Sequence, residues 1–167
     1  FMARGRELLL VEMCLATGQR IGDILDMKWT DIQPIDGTVG VDLVQNKTGK
    51  ALWIHLRESL VTLLATTKRR NKYILTNRDA TGPSSYRGAS QAVMKIRRNI
   101  GALDFDIHSL RYSAACELAL AGLDDDTIGA VTGQTKQTVQ HYTKSVRQIA
   151  DARRALQARE SWLENRA

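Results

Sequence analysis

The sequence predicts a mainly α-helical α+β domain with a small antiparallel sheet, of two or three strands, near its N-terminal third. Three observations predict it. Apolar residues recur at three- and four-residue spacing in segments spread along the chain, the mark of amphipathic helices. Two β-rich runs, Val39–Val44 and Leu52–Leu56, flank a short polar loop and read as a hairpin. With 167 residues, 43% of them hydrophobic, the chain can bury one real core, and no linker divides it.

The elements follow in order. Arg6–Ala16 reads as a helix with Leu9, Leu10, Met13 and Cys14 at core spacing, punctuated by Gly18. Ile21–Lys28 reads as a short second helix. Asp36-Gly37 is a strong turn signal ahead of the hairpin, whose loop is Asn46-Lys47-Thr48-Gly49-Lys50. Leu60–Thr66 reads as a helix ending in the basic run Lys68-Arg69-Arg70, and Tyr73–Leu75 as a candidate third strand. Gly82-Pro83-Ser84-Ser85 is a break carrying an N-cap, followed by a basic helix through Arg98. His108–Ala121 reads as an Ala-rich buried helix, Asp124-Asp125-Asp126 as the start of a short one, Thr138–Tyr142 as part of another, and Val146 to about Leu163 as a charged amphipathic tail, within a tail segment 145–167.

Composition narrows the function classes. Lys plus Arg outnumber Asp plus Glu by 24 to 18, a net charge of +6, which points toward a polyanion such as nucleic acid. The two cysteines, Cys14 and Cys116, lie in apolar stretches without a paired or zinc-like spacing, as expected of buried free thiols in a reducing cytoplasm. No apolar run is long enough to span a membrane, and no signal peptide is evident. The chain opens Phe-Met-Ala-Arg and enters a helical pattern at once, so a piece of a longer protein is expected.

Four separated segments carry chemistry: Thr17-Gly18-Gln19-Arg20-Ile21-Gly22-Asp23, the hairpin Lys47, His108-Ser109-Leu110-Arg111, and Thr132-Gly133-Gln134 followed by His141-Tyr142. Attack on a phosphodiester builds negative charge on its non-bridging oxygens. A guanidinium stays charged at any working pH and offers planar paired donors, so Arg20 and Arg111 could clamp such a group from two sides. His108 lies three residues before Arg111, on the same helix face, where an imidazole is well placed for proton transfer. A free phenol has a pKa of about 10, so a nucleophilic tyrosine at 142 needs cationic neighbours or a base. Each has an ordinary alternative. Arg20 could be a surface arginine paired to Asp23, Lys47 a solvated turn lysine with Lys50 as its competitor, His108 a helix cap, and Tyr142 a core or surface tyrosine. Tyr112 is expected to point away, into the core.

In order and approximate spacing these segments resemble the signature of the tyrosine recombinases (the phage integrase family): an Arg after a Thr-Gly turn, a hairpin Lys, a His-x-x-Arg, a Gly-His-type pair and a Tyr. The resemblance covers nearly the whole chain. It implies a single catalytic domain over residues 1–167, lacking an N-terminal DNA-binding domain, that cuts and rejoins double-stranded DNA through a 3′-phosphotyrosyl bond. It also implies the roles: Tyr142 as nucleophile, Arg20 and Arg111 on the phosphate, His108 in proton transfer, and Lys47 as donor to the departing 5′-hydroxyl. Asp23 would orient Arg20 from behind. No metal or other cofactor is called for, the cytoplasm is the expected compartment, and a homo-tetramer on DNA is the expected assembly. Two departures stand out. Gln134 occupies the position where relatives usually have His, and the interval to Tyr142 is one residue short. Gln can donate a hydrogen bond but cannot carry a proton.

Lys50, Arg78, Ser84, Ser85 and Arg87 are candidate contacts to DNA phosphates. Asp124–Asp126 is read as a helix N-terminus rather than a metal site. Two rival readings remain: a DNA-binding recombinase homologue with weakened catalysis, kept open by Gln134, and a type IB topoisomerase.

Overall fold

The computed structural model describes residues 5–166. The chain forms α1 (Gly5–Thr17) and α2 (Ile21–Asp26), passes through a 3-10 turn at Trp29–Asp31, and lays down β1 (Ile32–Ile35), β2 (Thr38–Val44) and β3 (Ala51–His55) as an antiparallel meander. Helices α3 (Glu58–Thr66), α4 (Tyr86–Ile100), α5 (Ser109–Leu120), α6 (Asp125–Thr132) and α7 (Lys136–Glu164) follow. The architecture is the mainly helical α+β arrangement expected.

Strand alternation sets the sheet's inner face. Val41 and Leu43 pair with Ile54 and Leu52 across β2 and β3, and all four are buried, whereas Asp42 and Trp53 turn outward. Beneath them Leu9, Leu10 and Met13 of α1 meet Ile24, Met27, Leu60 and Leu75 in the main core. A second cluster joins Ala115 and Ala119 of α5 to Ile128 of α6 and Val139 of α7. Helix α1 packs on α3, α4 and α5, and α5 packs in turn on α6 and α7. Thus α5 links the two clusters and carries its residues between the first turn of the chain and the last helix.

Two expectations need correction. The third strand is β1, not Tyr73–Leu75. Asp36 and Gly37 both adopt positive φ, 49° and 76°, the backbone of a two-residue primed turn that pairs β1 with β2. β1 was hard to see because Pro34 lies within it and three of its four residues are exposed, so it lacks the apolar alternation of a half-buried strand. Tyr73 makes only an isolated bridge to Lys28, flanked by bonds from Ile74 N to Met27 O and Trp29 N to Lys72 O. Second, the Tyr142 segment and the tail are one helix of 29 residues, because no Gly or Pro interrupts the run from the Thr135 N-cap to Glu164. Every residue from Asp151 to Arg166 is exposed.

One local motif occurs twice. Thr17-Gly18-Gln19 ends α1 and Thr132-Gly133-Gln134 ends α6. In both, the Thr hydroxyl donates to the carbonyl four residues back, Met13 at 2.7 Å and Ile128 at 2.8 Å. In both, the glycine turns left-handed, with φ of 60° and 69°. The two turns lie against each other: a Cβ on Gly18 would come within 2.9 Å of Thr132 Cγ2. Gly18→Ala is therefore expected to destabilise the fold by about 1–3 kcal/mol, from positive φ and overpacking together. A urea titration should show a lower midpoint at unchanged slope. An unchanged midpoint would show that the turn tolerates a side chain.

Candidate active site

Arg111 occupies the first turn of α5 and is only 4% exposed. Its Nη1 donates to the Gly18 carbonyl at 2.5 Å, which places the guanidinium at the Thr-Gly turn that leads into Arg20. Burial, then the charge of Arg20, draws its pKa down to about 10, while Asp23, Tyr112 and Tyr142 oppose the shift. The group remains a cation at neutral pH. Arg20, Asp23, Tyr112 and Tyr142 are the ionisable neighbours that act on this buried guanidinium.

Arg20 is the N-cap residue of α2, and its Nη1 is buried with no acceptor among the described residues. A buried guanidinium N–H without an acceptor is costly and suits an anionic oxygen. The expected Arg20–Asp23 ion pair is not among the pairs formed by the described residues. Asp23 instead accepts the Asn46 backbone N–H through Oδ1 at 2.8 Å, and its other oxygen is buried without a partner. Asp23 thus fastens the start of the hairpin loop, one residue before Lys47. Lys47 is exposed and makes no hydrogen bond to the described residues, whereas Lys50 leans on α6 with Nζ 3.4 Å from the Gly129 carbonyl.

The aromatic side of the site is built on α5 and α7. His108, at the N-cap of α5, stands edge-on to Tyr112 at 4.9 Å between ring centroids and 82° between planes. Tyr112 lies over Tyr142 at 3.9 Å and 31°. His141 flanks the other side, edge-on to Tyr142 at 5.2 Å. The Cys116 thiol donates to the Tyr142 carbonyl at 3.4 Å, so α5 also holds the backbone of α7 at this point. The neighbouring Tyr142 hydroxyl, then burial, pushes the Tyr112 phenol up to about 12, so Tyr112 keeps its proton at neutral pH. The expectation that Tyr112 faces the core is corrected: it belongs to the site. The signal was present, since His108, Tyr112 and Cys116 recur every four residues along one face of α5.

Gln134 is buried, and its Oε1 accepts from the Thr132 hydroxyl at 3.2 Å. Among the surface candidates, Arg78 and Arg87 are exposed. Ser84 is buried, donating to the Thr76 carbonyl at 2.8 Å and accepting from Arg6, so its hydroxyl is committed inside the fold. Ser85 is the exposed N-cap of α4 and accepts from Gly88 N at 3.1 Å. Asp124 caps α6 by accepting from Thr127 N at 2.7 Å. No three His, Cys, Asp or Glu residues converge as a metal site among the described residues, and no helix there is long and apolar enough to cross a membrane.

The phage integrase family model matches residues 2–148, which takes in every residue of this site. The chain belongs to the phage integrase family. The integrases of Escherichia phage lambda and Enterobacteria phage 434 are each 33% identical to it over 103 residues, covering 46% of this chain and 28% of the relative. The chain therefore corresponds to well under half the length of these curated relatives. Among solved structures, a lambda integrase (residues 75–356) dimer bound to a COC′ core site superposes with a TM-score of 0.68 at 25% identity, over 83% of this chain and 52% of that one. The XerH recombinase bound to difH, in a pre-cleavage complex, superposes with a TM-score of 0.70 at 19% identity, over 86% of this chain and 45% of that one, a likeness of fold. The fold is that of a tyrosine recombinase catalytic domain. Read as a phage integrase, the chain has its signature residues on five different segments. Tyr112, Cys116 and His141 adjoin these residues and are not part of the pattern read from the sequence.

Proposed function

We propose that this chain is the catalytic domain of a site-specific DNA recombinase that cleaves and rejoins DNA strands through a 3′-phosphotyrosyl intermediate. One observation carries the reading. The Arg111 guanidinium is buried against the turn that leads into Arg20, and Tyr112, the next residue, lies against the Tyr142 ring at 3.9 Å between centroids, which supports a site shared by the three. In the proposed step the Tyr142 oxygen attacks phosphorus and the bond to the 5′ oxygen breaks. Lys47 gives that oxygen its proton, and Arg20 and Arg111 hold the charge that develops on the non-bridging oxygens. His108, with Tyr112 between it and the nucleophile, serves the proton leaving Tyr142. A 5′-hydroxyl of another strand then reverses the step. The phosphotyrosyl bond keeps the energy of the phosphoester, so the reading calls on no metal or nucleotide cofactor.

Lambda integrase, the neighbour at 25–26% identity, has been solved as a dimer on a core site and as a tetramer on a Holliday junction. These structures support double-stranded DNA as partner and a homo-oligomer as the working assembly. Gln134 favours a second reading, a DNA-binding domain with slowed catalysis, because it cannot move a proton and its carbonyl oxygen is engaged by Thr132. Incubation with a pool of nicked duplexes, which lose the 5′ end needed for rejoining, separates the two. The first reading expects a covalent protein–DNA adduct whose modified peptide contains Tyr142. Retained DNA binding with no adduct would establish the second.

A further inference from the structure

We propose that Gln45 is a positioning residue that sets the reach of Lys47. The inference rests on the assignment of Lys47 as proton donor made above. Gln45 is the last residue before the hairpin loop turns, and it is fully buried. Its Nε2 donates to Gln19 Oε1 at 2.5 Å and to the Thr132 carbonyl at 3.1 Å. Its Oε1 accepts from the Thr48 hydroxyl at 2.7 Å. Its backbone N–H donates to Lys50 O at 2.9 Å, and its carbonyl accepts from Gly49 N at 2.8 Å. Gln19 completes the bridge by donating to the Val131 carbonyl at 3.1 Å.

One amide thus joins the two Thr-Gly-Gln turns to the base of the loop. Gln19 is the residue before Arg20, and Thr132 is two residues before Gln134. Within the loop, Asn46 is held by Asp23 and Asp26, Thr48 and Gly49 by Gln45, and Lys50 by Gln45 and Gly129. Among the described residues Lys47 alone in this loop has no hydrogen-bonded anchor. The loop around it is tied by these bonds to the turn bearing Arg20, and the lysine side chain is left unanchored. An ammonium on such a base reaches one small region, which the network fixes relative to the arginines. The network also explains Gly133: a Cβ there would lie 2.3 Å from Gln45 Nε2.

The test uses the leaving group. A 5′ alkoxide needs a proton to depart, whereas a 5′ thiolate departs without one, because an ordinary thiol has a pKa of about 8.5. Cleavage of the DNA recovered from the trapped pool is timed with normal 5′-oxygen duplexes and with 5′-bridging phosphorothiolate duplexes. Lys47→Ala should cleave the oxygen substrate slowly and the sulfur substrate at close to the unaltered rate. Gln45→Leu should show the same pattern. A displacement of about 1 Å is worth on the order of 10²-fold on the oxygen substrate, with recovery to within about threefold on sulfur. Equal slowing on both substrates, or none on either, overturns the proposal for Gln45. Lys47→Ala that is not rescued by sulfur would overturn the Lys47 assignment instead. If Gln45→Leu does not fold, Thr48→Val removes a single bond of the network from an exposed residue. It should give a smaller loss with the same selectivity for oxygen, and an absence of that selectivity counts against Gln45.

Discussion

Tyr142→Phe is expected to abolish the covalent DNA adduct, by at least about 10⁴-fold, while leaving the fold intact, because it removes the oxygen proposed to attack phosphorus. The ring itself stays. Its contact with Tyr112 at 3.9 Å and the Cys116 bond to the Tyr142 carbonyl do not involve the hydroxyl, so the unfolding midpoint should hold. A second effect accompanies the first. The Tyr142 hydroxyl is the largest reason that the Tyr112 phenol lies near 12. Without it, Tyr112 should ionise at lower pH, visible as an earlier phenolate absorbance in an alkaline titration. An adduct that survives in Tyr142→Phe and maps to Tyr112 would move the nucleophile from α7 to α5 and defeat the assignment.

Arg111→Met is expected to lower cleavage by about 10³-fold or more, the scale of losing a preorganised cation from a developing phosphoryl charge. Stability should move little, or rise. Burial and the neighbouring Arg20 draw the Arg111 pKa down to about 10 from an ordinary value of 12.5. The folded chain therefore holds its proton less tightly than the unfolded chain does. Below pH 10 both states carry the charge, and the folded one bears a cost on the order of 3 kcal/mol. That cost is relieved only as pH climbs through 10 toward 12.5. An apolar side chain of similar size removes it at neutral pH, at the expense of the bond to Gly18 O. The same reasoning expects sulfate or inorganic phosphate to raise the melting temperature of the unaltered chain but not of Arg111→Met. A Met variant that loses more than about 2 kcal/mol in urea would mean that Arg111 chiefly supports the fold.

Much of this could be read from the chain alone, for reasons visible in particular residues. The hairpin announced itself through alternation at Val41, Leu43, Leu52 and Ile54, and two helix starts through Ser85 and Asp124. The signature residues were legible because each sits in a short stretch of recognisable local order. What escaped was either locally unremarkable or settled at long range. β1 is short, exposed and interrupted by Pro34. Asp23 lay within pairing distance of Arg20 by sequence, yet the fold gives it to Asn46, 23 residues away. Gln19 and Gln45 look like ordinary polar residues until their partners, 26 to 112 residues distant, are known. The spacing of His108, Tyr112 and Cys116 marks a shared face of α5, and the position of α7 shows what that face lies against.

The paired Thr-Gly-Gln turns have a consequence for how the molecule comes into being. A polypeptide leaving the ribosome delivers α1, the hairpin and Gln45 well before Thr132, which lies 87 residues further on. Until that stretch emerges, the Gln45 amide lacks one of its acceptors and the loop has no floor. Closing so long a segment is entropically slow, and it brings Arg111, Tyr142 and the hairpin together in one late event. A half-made chain that lacks Thr132 cannot yet complete the network that joins the two turns to the hairpin loop.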